Sequence, residues 1–168
     1  MIGTSQNFPD KIHRLEKFES KIEIKKIQKN LIQILEKINN KTYSFEEITY
    51  PTVPNCRIIF DVGLAEENAF NYIDEEEKNR FLKALKKETT KLLDLFFSIR
   101  YYKIKQKKRI ALNFDYYMLR ISFDNKKIEV KVFHERGPRY ISPEEIVNFI
   151  IMEFNKNSTK KIIKLEKK

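Results

Sequence analysis

The chain has 168 residues, with 34 Lys and Arg against 24 Asp and Glu, a formal charge of +10 and one cysteine. Its length and its 41% hydrophobic content fit a single folded domain and exclude a wholly disordered chain. One cysteine excludes an intramolecular disulfide, a Cys-built zinc finger and a self-contained four-cysteine iron–sulfur site. No apolar run approaches the ~18 residues of a membrane span, and no signal-peptide core precedes the body of the chain. We therefore expect a cytoplasmic protein.

The positive charge is concentrated in separate blocks. Residues 100–109 carry six bases and no acid, and residues 156–168 carry six bases and one acid. In the first block Tyr101, Tyr102 and Ile104 interleave with lysines, a pattern that suits nucleic-acid backbone contact together with base stacking. A solvated turn between two elements would have the same composition, so both interpretations stay open at this point.

The first third of the chain predicts one helix between two irregular segments. Residues 1–20 show no sustained periodicity and are expected to form a flexible leader. Apolar residues then recur at steps of three and four over 21–38, which predicts an amphipathic helix that ends at Asn39-Asn40. Residues 41–56 contain Pro51, Pro54 and Asn55 and are expected to form an irregular connection.

The middle of the chain is dominated by a long helical pattern. Residues 57–64 are short and apolar, and strand and helix are both compatible with them. Asp74 is a suitable N-cap, and the glutamates that follow it suit the positive end of a helix dipole. Apolar positions continue at helical spacing as far as Phe96, and Thr89-Thr90 could end one helix and cap a second. We therefore expect paired central helices.

Two alternating segments predict an antiparallel β-hairpin. Residues 116–123 and 128–133 flank a polar turn at 124–127. The turn predicts that Phe123 faces Ile128, which fixes the register and the face that points to the core. That face carries Tyr117, Leu119, Ile121, Phe123, Ile128, Val130, Val132 and His134.

The last helix has a clear start signal. Ser142 as N-cap, Pro143 at the first helical position and Glu145 two residues later make a capping box. Residues 21–155 are expected to form one globular domain, followed by a basic, flexible tail at 156–168. The predicted fold is α+β and mainly helical, with an N-terminal amphipathic helix, central helices, one antiparallel β-hairpin and a C-terminal helix.

One motif indicates a metal-dependent nuclease. Asp115 followed by Glu129-Val-Lys131 resembles the D…ExK metal site of restriction-type nucleases. In the predicted register Glu129 faces Ser122, about 23 Å along the strand from Asp115 at ~3.3 Å per residue, which is too far for two ligands of one metal. A different register would restore the site, so it stays an alternative. The two histidines and the cysteine are too isolated for a zinc site or a nucleophilic triad, so no catalytic or metal-binding residue is assigned otherwise.

Four short motifs lie in order between residues 50 and 152. They are Pro51-Thr-Val-Pro54-Asn-Cys56, then Phe81-Leu82-Lys83-Ala-Leu85 with Leu92-Leu93-Asp94-Leu95-Phe96-Phe97, then Tyr117-Met-Leu-Arg120-Ile-Ser-Phe123, and Arg136-Gly137-Pro-Arg139-Tyr140-Ile-Ser-Pro143. They resemble, in turn, the proline–cysteine entry, the paired central helices, the Tyr–x–x–Arg–x–x–Phe strand and the final turn of one domain. That domain is the C-terminal domain of the archaeal and eukaryotic primase large subunit.

The resemblance implies the fold of that domain and a supporting role in RNA primer synthesis. The family domain holds an iron–sulfur cluster through four cysteines, and only Cys56 stands at such a position, so no cluster and no other cofactor is expected. A clusterless, separate version of the domain looks like the noncatalytic third subunit of archaeal primases, an accessory protein and not an enzyme. Its implied partners are the primase catalytic small subunit, the primase large subunit, template DNA and a nucleoside triphosphate, which implies a nucleoid-associated location.

The resemblance also implies binding residues for the initiating nucleotide or the primer 5′ end. Lys83 would neutralise phosphate, Tyr117 would stack or hydrogen-bond, and Arg120 would grip phosphate with its fork. Arg80, Arg136 and Arg139 are added from their positions in the sequence, and the last two flank a turn that leads to a helix N-terminus. Structural roles in the core, in ion pairs or on a solvated surface are the alternatives, and a nonspecific nucleic-acid-binding module is the other possible function. The assigned residues are Arg80, Lys83, Tyr117, Arg120, Arg136 and Arg139.

Overall fold

A computed structural model describes residues 2–48 and 55–156, together with the backbone of 163–165. Strands account for 46% of the described residues, which also contain three α-helices. None of the described helices is both long enough and apolar enough to cross a membrane. The elements are β1 Arg14–Ser20, α1 Ile24–Asn39, β2 Thr42–Ser44, β3 Cys56–Glu66, β4 Ala69–Tyr72, α2 Glu75–Lys87, β5 Leu92–Lys105, β6 Lys108–Asp124, β7 Lys127–Arg136, α3 Pro143–Asn155 and β8 Ile163–Leu165.

The strands form one curled antiparallel sheet with the shape of a half-barrel. Its order is β2-β3-β5-β6-β7-β1-β8, and β4 pairs separately with β3. Helices α1 and α3 pack on the concave face, where Phe60 of β3 stacks on Phe149 of α3 with 5.4 Å between ring centroids. Helix α2 packs against α1. One face of the sheet is therefore covered by helices, and the opposite, convex face carries the alternate side chains of each strand.

The expectation of a mainly helical fold like that of the primase large-subunit domain is wrong. Residues 92–105, expected to begin with a second central helix, form strand β5. Leu93, Leu95 and Phe97 are fully buried on its concave side, and Phe96 is partly exposed on its convex side. Because Leu92 and Phe96 place apolar side chains on the convex side as well, the leucines and phenylalanines of this segment also fall at helical spacing. The phenylalanines, isoleucines and tyrosines of the segment nevertheless pack better on a pleated sheet than around a helix.

The N-terminal residues differ from the expected flexible leader, because they belong to the sheet. Strand β1 lies between β7 and β8. Ahead of it, the N–H of Gly3 donates to the Ala65 carbonyl and the Gly3 carbonyl accepts from the Asp94 N–H, so this segment fills the gap between β3 and β5. Residues 42–44 of the predicted connection at 41–56 form strand β2, and its residues 49–54 and most of the predicted tail at 156–168 lie outside the described residues.

Several local predictions are confirmed. The hairpin pairs Phe123 with Ile128, which is the predicted register. The start of α3 carries the predicted capping box, in which the Ser142 hydroxyl accepts from the Glu145 N–H and the Glu145 carboxylate accepts from the Ser142 N–H. Residues 57–64, which were compatible with strand or helix, lie within strand β3.

Three buried tyrosines predict a loss of stability at high pH. Burial raises the pKa of Tyr43, Tyr101 and Tyr117 above the ordinary value, and a hydrogen bond to Asp115 raises that of Tyr101 further. Because each folded pKa lies above the unfolded value of about 10, this stabilisation is complete below pH ~10 and falls as the pH rises. We expect a phenolate absorbance titration to show these tyrosines ionising only as the circular dichroism of the fold is lost.

The control for this titration is the same protein in urea, where all eight tyrosines should ionise near pH 10, at about their ordinary pKa. A single reversible ionisation of all of them in the folded state would contradict the expected burial.

Candidate nucleic-acid interface

Strands β5 and β6 extend beyond their neighbours as a two-stranded ribbon, residues 103–114, which we call the basic ribbon. Strand β3 pairs with β5 no further than Lys103, and β7 begins to pair with β6 only at Tyr116. All residues of the ribbon after Lys103 are exposed. The strands are joined by Gln106 and Lys107, whose φ angles of 51° and 64° make a left-handed two-residue turn that matches the strand twist.

The basic ribbon concentrates positive charge without opposing carboxylates. Lys105 and Lys108 are cross-strand partners, so two cations stand side by side on one face. Among the described residues no ribbon cation forms an ion pair, whereas Arg100, just below the ribbon, pairs with Asp61 at 3.0 Å. Like charges placed opposite each other destabilise a ribbon, and a bound polyanion would remove that repulsion. The ribbon cations are Lys103, Lys105, Lys107, Lys108 and Arg109.

The aromatic residues expected to stack on bases in this region are not available for stacking. Tyr101 is 1% exposed and faces the core. Tyr102 is also buried, and the guanidinium carbon of Arg109 lies 4.9 Å from its ring centroid. The ribbon instead exposes the apolar side chains of Ile104, Ile110, Leu112 and Phe114, of which the sequence pattern singled out only Ile104.

Asp115 anchors the base of the ribbon. It is fully buried, and its carboxylate accepts from the Tyr101 hydroxyl at 2.6 Å and from the N–H groups of Arg139 and Tyr140 at 2.7 and 3.0 Å. His134 Nε2 lies 2.9 Å from the same carboxylate. One side chain therefore holds the turn between β7 and α3 against the sheet.

The histidine of this cluster has no free ring nitrogen. Arg139 Nε donates to His134 Nδ1 at 3.2 Å, so Nε2 carries the proton that is donated to Asp115. Gly137 has a φ of 118°, and a Cβ there would lie 2.3 Å from an Asp115 carboxylate oxygen, so only glycine permits this close approach. The carboxylate of Asp115 and both ring nitrogens of His134 are therefore already hydrogen-bonded within the fold. The role of this pair is to fix the turn between β7 and α3.

The two helix residues assigned to phosphate binding lie apart from the ribbon. Arg80 on α2 pairs with Glu66 at 2.5 Å and with Glu77 at 3.1 Å. Lys83 lines an open groove of about 700 Å³ between α2 and the start of β5, beside Thr89. No buried side-chain polar atom of the described residues lacks a hydrogen-bond partner. Lys83 is exposed in this groove, which Arg80, Lys87 and Lys91 also line, so the structure brings the two assigned helix residues to one groove away from the ribbon.

Tyr117 and Arg120 lie on opposite faces of β6. Tyr117 is fully buried on the concave face, and its hydroxyl donates to the Ile141 carbonyl. Arg120 lies on the convex face, and its Nε and Nη2 donate to the two oxygens of buried Asp94 at 2.8 and 2.9 Å, which raises the pKa of Arg120. Arg120 thus forms an ion pair with Asp94, and its guanidinium group is already occupied.

The remaining two assigned residues lie near the base of the ribbon. Arg136 is exposed and is the cross-strand partner of Tyr116. Arg139 is exposed, although its Nε donates to His134. Of the six assigned residues these two alone come close to the ribbon, so the set does not converge on one site.

The structure does not bring the nuclease motif together. Glu129 pairs with Ser122 on the convex face, as the predicted register requires, and Lys131 Nζ lies 3.8 Å from Glu129. Asp115 lies in the buried cluster on the concave side. In the part of the chain that the structure describes, no group of three or more His, Cys, Asp or Glu residues could hold a metal ion.

No protein-family model matches the chain, and no curated protein or solved structure matches it. The resemblance to the primase large-subunit domain therefore stays a prediction, and one of its motifs, Leu92 to Phe97, lies in strand β5 instead of a helix.

Proposed function

We propose that the chain binds nucleic acid through the basic ribbon and catalyses no reaction on it. The observation that supports this function is the projecting pair of strands with five cations that have no carboxylate partner among the described residues. Each cation that neutralises a phosphate releases a counterion, which is the main source of sequence-independent affinity. A two-stranded ribbon also has the width that the major groove of DNA, about 12 Å, admits.

A place in a primase complex is a narrower form of this proposal. It would add the catalytic and large primase subunits as partners and would direct the ribbon to template DNA. Its support lies in the strand and turn motifs around Tyr117 and Gly137, since only the first half of the paired-helix motif, in α2, is helical.

The ribbon predicts a specific change in salt dependence. The variant with Lys105, Lys107 and Lys108 all changed to Ala should weaken nucleic-acid binding and reduce the slope of log K against log salt by about 2–3, because each phosphate contact contributes about 0.7–0.9. Fluorescence anisotropy with a labelled oligonucleotide, between about 50 and 200 mM salt, measures both quantities.

The matched control removes three exposed lysines of helix α1, Lys26, Lys29 and Lys37, and so produces the same change in net charge. It should leave the slope within about 1 of the unchanged protein, since nonspecific attraction falls only slightly. Equal losses in both variants would assign the affinity to net charge and overturn the ribbon's role. Failure of the unchanged protein to bind any oligonucleotide at low salt would overturn the function itself.

A further inference from the structure

A row of aromatic rings crosses the convex face of the sheet and leads into the basic ribbon. It consists of Phe70, Phe96, Tyr116 and Phe114, and successive ring centroids are 5.5, 5.5 and 4.8 Å apart. Phe114 is exposed and the other three are partly exposed. We call these four residues the aromatic row.

The aromatic row lies on the side of the sheet away from helices α1 and α3. Phe96 and Tyr116 alternate along their strands with Phe97 and Tyr117, which are fully buried on the concave face. The solvated face of an antiparallel sheet normally carries polar side chains at such positions. Aromatic rings on this face are exposed to water at a cost in free energy unless a ligand covers them. Exposed apolar surface of this kind marks interaction sites.

Cations border the aromatic row. Arg100 is the cross-strand partner of Phe114, and Arg136 is the cross-strand partner of Tyr116. Arg136 is exposed and forms no ion pair with the described residues, while Arg100 is paired with Asp61. Beyond Phe114 the ribbon begins; among its cations Arg109, the cross-strand partner of Ile104, lies on the same face as the row, and Lys105 and Lys108 alternate to the other face. Rings that can receive bases and cations that can receive phosphates therefore lie next to each other on the same two strands.

We infer, on the basis of the proposed function, that the ligand is single-stranded nucleic acid, whose bases stack on the aromatic row while its phosphates contact the ribbon. In a duplex the base faces are stacked on one another, so a duplex could use the ribbon alone. Stacking tolerates any sequence because every base has a π-face. The combination of a cationic path with a row of rings is the arrangement by which proteins bind single strands without reading their sequence.

Three labelled ligands with the same number of phosphates separate stacking from charge: oligothymidylate, an abasic oligonucleotide and a duplex. The full chain should bind oligothymidylate at least about tenfold more tightly than the abasic strand, because one stacked base contributes about five- to 150-fold. Changing Phe114 and Tyr116 together to Ala should remove this preference and leave the salt slope unchanged. Leu15→Ala is the matched control, since Leu15 is an exposed apolar residue on the convex side of β1, outside the row.

The outcomes distinguish this inference from the proposed function. Equal affinity for oligothymidylate and the abasic strand, or tighter binding of the duplex, would overturn stacking and leave ribbon binding in place. No binding of any of the three would overturn both. If the double variant fails to fold by circular dichroism, Phe114→Ala decides the matter, because that ring is exposed and its loss must lower the preference. Binding of anionic vesicles in place of all three ligands would also overturn the inference and assign the surface to a membrane.

Discussion

Asp115→Ala is expected to lower the free energy of unfolding by about 3–5 kcal/mol, because it removes one buried acceptor that satisfies several donors. The change leaves the buried Tyr101 hydroxyl without its partner. It also leaves the N–H groups of Arg139 and Tyr140 without theirs. Each buried donor that loses its acceptor costs about 1–3 kcal/mol.

Urea unfolding followed by circular dichroism measures this loss. Asp124→Ala is the matched control, since Asp124 is exposed at the turn between β6 and β7, and its change should stay within about 0.5 kcal/mol. Asp115→Asn keeps one acceptor oxygen and should fall between the two. A loss below about 1 kcal/mol for Asp115→Ala would show that water replaces the carboxylate and that Asp115 does not hold the turn.

Local signals predicted the structure well wherever the chain interacts with its own near neighbours. The capping box of Ser142 and Glu145 places the start of α3, and the polar turn after Phe123 sets the hairpin register. Both depend on residues only a few positions apart. The interactions that determine both features lie within the segment itself, so its hydrophobic periodicity and turn residues are sufficient to predict them.

The missed strand β5 shows where periodicity fails. The start of β5 has apolar residues on both faces and so lacks strict alternation, and Leu92, Leu93, Leu95 and Phe96 fit a helix as well as a strand. The burial of Leu93 and Leu95 against the helices is set by distant segments, and so is the aromatic cover on Phe96 from Phe70. β1 was missed for a related reason, since its pairing with β7 joins residues more than a hundred positions apart.

For the candidate site, the sequence pattern indicated the cluster of positive charge but not the exposed aromatic side chains. The basic block at 100–109 supplies the cations of the ribbon, whereas Tyr101 and Tyr102, which the pattern offers for stacking, are both buried. Which of two alternating faces is solvated depends on where the helices pack, and that information is not local. The partly exposed rings of Phe114 and Tyr116 lie next to the block, and an alternating aromatic pattern reaching past residue 109 was the signal that could have identified them.

Arg120→Met is expected to lower the free energy of unfolding by about 3 kcal/mol, because it leaves the fully buried Asp94 carboxylate without its main partner. Arg120 Nη2 also donates to the Ser5 carbonyl at 3.2 Å, so the same change loosens the N-terminal segment. Hydrogen exchange at Ser5, whose N–H donates to Asp94, should rise with the loss of stability.

The resemblance assigned Arg120 to phosphate, and a double-mutant cycle decides between that role and the ion pair. If Arg120 acts through Asp94, Asp94→Leu combined with Arg120→Met should cost at least about 2 kcal/mol less than the two single changes together, because no buried charge is left alone. Arg120→Met should then leave the salt slope of oligonucleotide binding unchanged. Arg136→Met is the matched control: this exposed arginine should alter stability by no more than about 0.5 kcal/mol while weakening binding. A slope reduced by about 1 in Arg120→Met, with stability unchanged, would instead place Arg120 on phosphate as the resemblance implies.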